Sequence, residues 1–236
     1  MIELQGVSKA YRTTERATVA ALHDVDLTIA DGEMVAVMGP SGSGTSTLMN
    51  ILSCLDVPSG GRYLLDGTDV GRMSKRRRTK FRGTKIGFVF QSFSLISDVN
   101  VRRNVELPML YTRKRVRRAR AMVALERVGL FGHHDDMPIE LFEAQRQKVL
   151  IARALINDPP VLLDDEPTGD LDADSSREIM ELFAQLNENG RTIVYSTHSE
   201  ETAGYAHRVI RLHEGRIISD ESGKHPLRKP PHLRAV

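Results

Sequence analysis

The 236-residue chain has no tryptophan, a single cysteine and only 5% aromatic residues. With Cys54 alone, no intrachain disulfide is possible, and a reducing compartment fits. Cys54 stands in the apolar run LMNILSCL, where a small buried side chain is the expected role. No apolar run approaches the roughly 20 residues needed to span a bilayer. The N-terminal MIELQGVSKAY lacks the basic, apolar and cleavage-site succession of a signal peptide. The expectation is a chain that is soluble by itself and reaches a membrane only through a partner. Charge of one sign is not in excess either: 33 Lys and Arg face 31 Asp and Glu, for a net charge of +2. Such a balance gives no overall attraction to nucleic acid, and no nucleic-acid partner is expected.

What is present reads as one globular unit. Hydrophobic residues make up 40% and charged residues 27% of a chain long enough for one domain with an inserted subdomain. Short apolar runs (IELQGV, LHDVDLTI, MVAVM, IGFVF, VLLDD, TIVYST, RVIRLHEGRII) alternate with helical patterns. That alternation predicts an α/β fold with a mostly parallel core sheet, and antiparallel strands in the first and last stretches. Residues 92–158 carry no strand signal and read as a helical subdomain inserted into a core formed by 1–91 and 159–220. Within the insert, Val116, Met122, Val123, Leu125, Val128 and Leu130 fit one apolar helical stripe. Cationic stretches at Arg72 to Arg82 and Arg113 to Arg120 read as solvated faces, and the basic, proline-bearing 221–236 as a flexible tail.

The segment Gly39-Pro40-Ser41-Gly42-Ser43-Gly44-Thr45-Ser46, running on into Thr47, follows an expected strand and opens an expected helix. A phosphate-binding loop needs this context, because glycines let backbone N–H groups converge on an anion and the helix N-terminus adds its positive end. Ser46 is the expected ligand of a magnesium ion bridging the β and γ phosphates of ATP. The pattern calls for lysine where Thr45 stands, and a short neutral hydroxyl cannot replace that mobile cation. Nucleotide binding is therefore expected to weaken, and turnover to suffer more.

Downstream, VLLDDEPTGDLD (Val161 to Asp172) is an apolar strand ending in acids. Asp165 is placed near the loop's magnesium, and Glu166 is left to polarise an attacking water. At this point the sequence resembles the ATP-binding cassette of ABC transporters, a P-loop NTPase family, from Met1 to about Asp220. The match is closest to the lipoprotein-release and macrolide-export type, through MGPSGSG, IGFVFQSF, NVELPML, QRQKVLIARAL and DEPTGDLD. The resemblance implies ATP sandwiched between two cassettes paired head to tail, and a separate membrane permease that the cassette drives from the cytoplasmic face. It also implies roles for single residues. Tyr11 corresponds to the aromatic that stacks on adenine, and Gln91 to the glutamine that contacts magnesium and senses the permease. His198 corresponds to the switch histidine at the γ-phosphate, and Asp172 to the acid that crosses to the opposite protomer.

One motif departs from the family. Where relatives read Leu-Ser-Gly-Gly-Gln, this chain reads Leu141-Phe142-Glu143-Ala144-Gln145. The family's serine and glycine N–H groups clasp the γ-phosphate held by the partner. Phe142 lacks the hydroxyl, Glu143 brings a negative charge, and Ala144 adds a Cβ where the backbone must approach closely. Because each ATP site joins one chain's phosphate loop to the other's signature, a self-pair lacks both elements at both sites. Two functions are therefore expected to compete: an energy-coupling ATPase subunit, and a degenerate cassette that binds nucleotide weakly in a structural or regulatory role.

Overall fold

The computed structural model describes residues 1–12, 18–90 and 95–222. Ten strands form two sheets. Strands β1 (Ile2–Arg12), β2 (Thr18–Ile29), β4 (Gly60–Leu65) and β5 (Thr68–Asp69) make an antiparallel sheet in the order β2-β1-β4-β5. The second sheet, in the order β10-β9-β3-β8-β7-β6, holds β3 (Met34–Met38), β6 (Ile86–Val89), β7 (Val161–Asp165), β8 (Thr192–Thr197), β9 (Arg208–His213) and β10 (Arg216–Ser222). Its pairings are parallel except at the β9–β10 edge. The fold is therefore α/β with a mostly parallel core sheet and a separate antiparallel one, as the alternation of apolar runs predicts. The strands β4 and β5 had no counterpart among the expected ones, since GGRYLL opens on two glycines and β5 has two residues.

Both faces of the core sheet are covered, which is why its central strands are nearly continuous apolar runs. Along β3, Met34, Ala36 and Met38 join the cluster under the helices, while Val35 and Val37 join the cluster facing the antiparallel sheet. Strand β8 alternates in the same way, Ile193 and Tyr195 on one side and Val194 on the other. Helix α1 (Thr45–Leu52) is sandwiched between the sheets, with Leu48, Met49, Ile51 and Leu52 fully buried. Cys54, just beyond it, is buried as expected, and burial pushes its thiol up to about 11.

Between β6 and β7 lie α3 (Val101–Glu106), α4 (Lys114–Arg127) and α5 (Glu143–Leu155), with one 3₁₀ turn between α3 and α4 and two between α4 and α5. The expected stripe on α4 is corrected here. Leu125, Val128 and Leu130 are buried, but Val116 and Val123 are 42% and 48% exposed, and Ala121 and Ala124 take the inner positions. Small side chains let α4 approach α3 and α5 closely, so the buried face is set by alanines that a hydrophobic-stripe reading passes over. The basic run at 72–82 straddles the start of α2 (Lys75–Lys85), a helix with no buried residue. The 221–236 tail lies almost wholly outside the described residues.

Candidate functional site

Strand β3 delivers the chain to Gly39, and the loop closes on α1. A Cβ on Gly39 would stand 2.6 Å from the Leu212 carbonyl oxygen. Gly44 caps α1 at φ 100°, where a Cβ would stand 2.5 Å from the Ala21 carbonyl oxygen. Only glycine fits there, for conformation and for space. No side chain caps α1, so its first N–H groups remain available to an anion. The Thr45 hydroxyl turns back into the loop and lies 2.8 Å from the Ser43 hydroxyl.

Across from the loop, the C-terminal ends of β7 and β8 supply the acids and the histidine. The Ser196 hydroxyl donates to Asp165 Oδ1 at 2.6 Å and accepts from the Glu166 N–H at 3.0 Å. Ser196 thus orients both acids, a role that sequence reading missed, because a serine within TIVYST carries no motif. Glu166 sits at φ 65°, a left-handed conformation that is costly for a residue with a Cβ and is held by that bond. Its carboxylate lies 3.1 Å from His198 Nε2. Burial, with Asp165 adding to it, pushes the Glu166 carboxyl above its ordinary value, toward the range of a working general base.

These elements line one cavity of about 440 Å³: Tyr11 at one end, Ser41 through Thr47 along the floor, and Asp165, Glu166, Ser196 and His198 opposite. No Lys or Arg is among the described residues lining it. The oxygen donors Ser46 and Asp165 suit a hard cation such as Mg²⁺. Among the described residues there is no cluster of three His, Cys, Asp or Glu that could hold a metal ion. Gln91 lies outside the described residues.

The residues expected as the signature, Leu141 to Gln145, lie elsewhere, at the N-terminus of α5. Leu141 is buried, and Gln145 accepts from the Phe142 N–H at 2.9 Å, closing the helix end from within. Phe142 is 80% exposed and Glu143 is exposed beside it. Ala144 corrects the reading of its Cβ as an obstacle: it is buried, so the methyl faces the protein interior. The outward departures are Phe142 and Glu143. Asp172 caps α6 (Ala173–Glu188), its Oδ1 accepting from the Ser175 N–H at 2.8 Å.

One further acid escaped the sequence reading. Asp164 is fully buried, with Oδ2 accepting from Gln147 at 3.3 Å and Oδ1 without a hydrogen-bond partner among the described residues. Burial, reinforced by Asp165, raises its carboxyl well above the ordinary value.

A glycine-rich loop at a strand-to-helix junction, facing a strand-end acid pair, defines a nucleotide-binding P-loop fold. The ABC transporter family profile matches residues 22–169, and the chain belongs to that family as an ATP-binding cassette. It is 46% identical over 226 residues to the uncharacterized ABC transporter ATP-binding protein YknY of Bacillus subtilis, covering 95% of this chain and 98% of that protein. It is also 46% identical over 225 residues to the macrolide export ATP-binding/permease protein MacB of Escherichia coli, covering 94% of this chain but only 35% of MacB. The dimeric structure of MJ0796, a bacterial ABC transporter cassette, superposes with a TM-score of 0.85 at 41% identity, over 94% of this chain and 98% of that one. MJ0796 has also been solved as a post-hydrolysis dimer bound to ADP and Pi, with a TM-score of 0.84 to this chain.

Proposed function

We propose that this chain drives a separate membrane permease from the cytoplasmic face of the membrane, paired with a second cassette, and that it hydrolyses ATP in the 440 Å³ cavity. The observation that carries this is the convergence on one cavity of the phosphate loop, Asp165, Glu166 and His198. The N–H groups of Gly42 through Thr47 receive the phosphates, and Tyr11 takes the base. Ser46 and Asp165, with Gln91 by resemblance, would hold Mg²⁺, which supplies neutralising charge at the β and γ phosphates. Glu166 accepts a proton from water, and His198 holds the Glu166 carboxylate in place and faces the γ-phosphate. Thr45 removes one cation from this arrangement, and Phe142 with Glu143 removes a clasp from the partner's site, so turnover is slow. The dimeric state of MJ0796 supports the pairing.

The permease contact is proposed on the helical insert that follows Gln91 in the chain. There Ile96 and Leu110 are half exposed and line, with Arg102, Arg103 and Arg118, a groove of about 340 Å³, and Tyr111, next to Leu110 in the chain, is fully exposed. No helix among the described residues is long and apolar enough to cross a membrane. The test of the catalytic reading is phosphate release from ATP by the full chain beside Glu166→Gln. Turnover should drop at least about a hundredfold while ATP binding is kept. Equal turnover by the two would refute the role of Glu166.

A further inference from the structure

Beneath Tyr11 lies a group of side chains that the catalytic account leaves unused. Lys9, two residues earlier on β1 and largely buried, donates to Asp56 Oδ1 at 2.6 Å and to the Val57 carbonyl at 2.9 Å. Its ammonium lies 4.9 Å from the Tyr11 ring centroid. The Tyr11 hydroxyl donates to the other Asp56 oxygen at 3.0 Å. Burial opposes it, yet Lys9, the Val57 N–H and Tyr11 together hold the Asp56 carboxyl below its ordinary value, so the carboxylate stays charged. Asp56 is itself tied to α1: its N–H and that of Leu55 donate to the Asn50 carbonyl at 3.1 and 3.0 Å. The end of that helix is pinned again by the buried Tyr63 hydroxyl, 2.7 Å from the Leu52 carbonyl.

The consequence is a rigid path. The phosphate loop leads into the N-terminus of α1, and the segment just past the helix's C-terminus carries Asp56, which grips Tyr11 through both its hydroxyl and the ammonium under its ring. The geometry points to Lys9 and Asp56 as positioning residues that set the Tyr11 ring at a fixed offset from the phosphate loop and thereby select a purine base. This rests on the reading of Tyr11 as the base-stacking residue. One face of the ring is taken by the Lys9 ammonium, so a base has the opposite face alone. A large purine surface gains more from a ring held still than a small pyrimidine does, because stacking scales with overlap and a mobile ring must first be ordered. Phosphate recognition stays with the loop N–H groups and is independent of the pair.

The test is equilibrium binding of ATP, UTP and inorganic tripolyphosphate, each with Mg²⁺, to the full chain and to its Lys9→Met, Asp56→Asn, Lys9→Arg and Tyr11→Leu variants. The series is repeated with Thr45→Lys, which strengthens every ligand and keeps weak affinities measurable. Lys9→Met and Asp56→Asn should each weaken ATP about 5- to 30-fold, the span of a desolvated cation–ring contact or a charged hydrogen bond. Tripolyphosphate affinity should not change, which also shows that the variants are folded. The ATP-to-UTP preference should shrink, and Lys9→Arg should restore most of it. If Tyr11→Leu weakens ATP but Lys9→Met and Asp56→Asn do not, the positioning role is wrong. Parallel losses of ATP and tripolyphosphate overturn it too, since they mark general support of the loop. If Tyr11→Leu leaves ATP unchanged, the stacking role itself fails, and the positioning role with it.

Discussion

On the proposed reading, the cavity would make an unusual demand on a metal ion accompanying ATP. ATP brings about four negative charges, while the described lining offers the carboxylates of Asp165 and Glu166 and no Lys or Arg. The positive potential left is that of the loop N–H groups and the α1 terminus, about half an elementary charge. Thr45 adds no charge, and its hydroxyl lies 2.8 Å from that of Ser43. Binding of ATP by the native chain should therefore collapse when Mg²⁺ is chelated, and Thr45→Lys should restore metal-free binding. A charge-assisted hydrogen bond is worth about 1.5 to 3 kcal/mol, or roughly 10- to 150-fold in affinity. Calorimetric titration of ATP into both proteins, with Mg²⁺ and with EDTA, gives four dissociation constants. The lysine should improve affinity by that factor in EDTA and by less in Mg²⁺, where the ion already neutralises the phosphates. If the native chain binds ATP in EDTA as tightly as Thr45→Lys does, the cavity holds a cation that this reasoning has overlooked.

Two stability predictions follow from buried charges outside the loop. Asp164 has a raised carboxyl, so the folded state holds a proton that the unfolded chain gives up above a pH of about 4. Its cost is absent below that pH and grows as pH rises toward the raised value; Asp164→Asn should therefore raise the melting temperature more at pH 8 than at pH 5. An equal shift at both pH values would show that the fold does not raise this carboxyl. Glu106 is buried between Arg102 and Arg117, accepting from Arg117 Nε at 2.9 Å. Glu106→Ala leaves two cations uncompensated and should cost about 3 to 5 kcal/mol in urea unfolding, whereas a loss under about 1 kcal/mol would show the pair to be solvated.

The legibility of this molecule follows sequence distance. The phosphate loop and the acid pair are contiguous motifs, so their residues could be named from the chain alone, and the strands that position them are nearly continuous apolar runs. Ser196 could not, since it orients Asp165 from 31 residues away on the neighbouring parallel strand. The Lys9–Asp56 pair spans 47 residues and joins two elements whose proximity only the fold decides. Ala144 was read as an intrusion because helix phase had not been set; once α5 is built, its Cβ turns inward and Phe142 and Glu143 remain outside. On α4 the same problem ran the other way, with alanines buried and two valines left on the surface.

The central claim is that the cavity hydrolyses ATP and is held back by Thr45 at one half-site and by Phe142 and Glu143 at the other. Steady-state phosphate release tests it on four full-length proteins at equal concentration: native, Thr45→Lys, the double variant Phe142→Ser, Glu143→Gly, and the two repairs combined. Elements of one catalytic assembly act non-additively, so the combined repair should raise turnover well beyond the product of the separate gains. Turnover by the native chain equal to that of the combined repair would contradict the account.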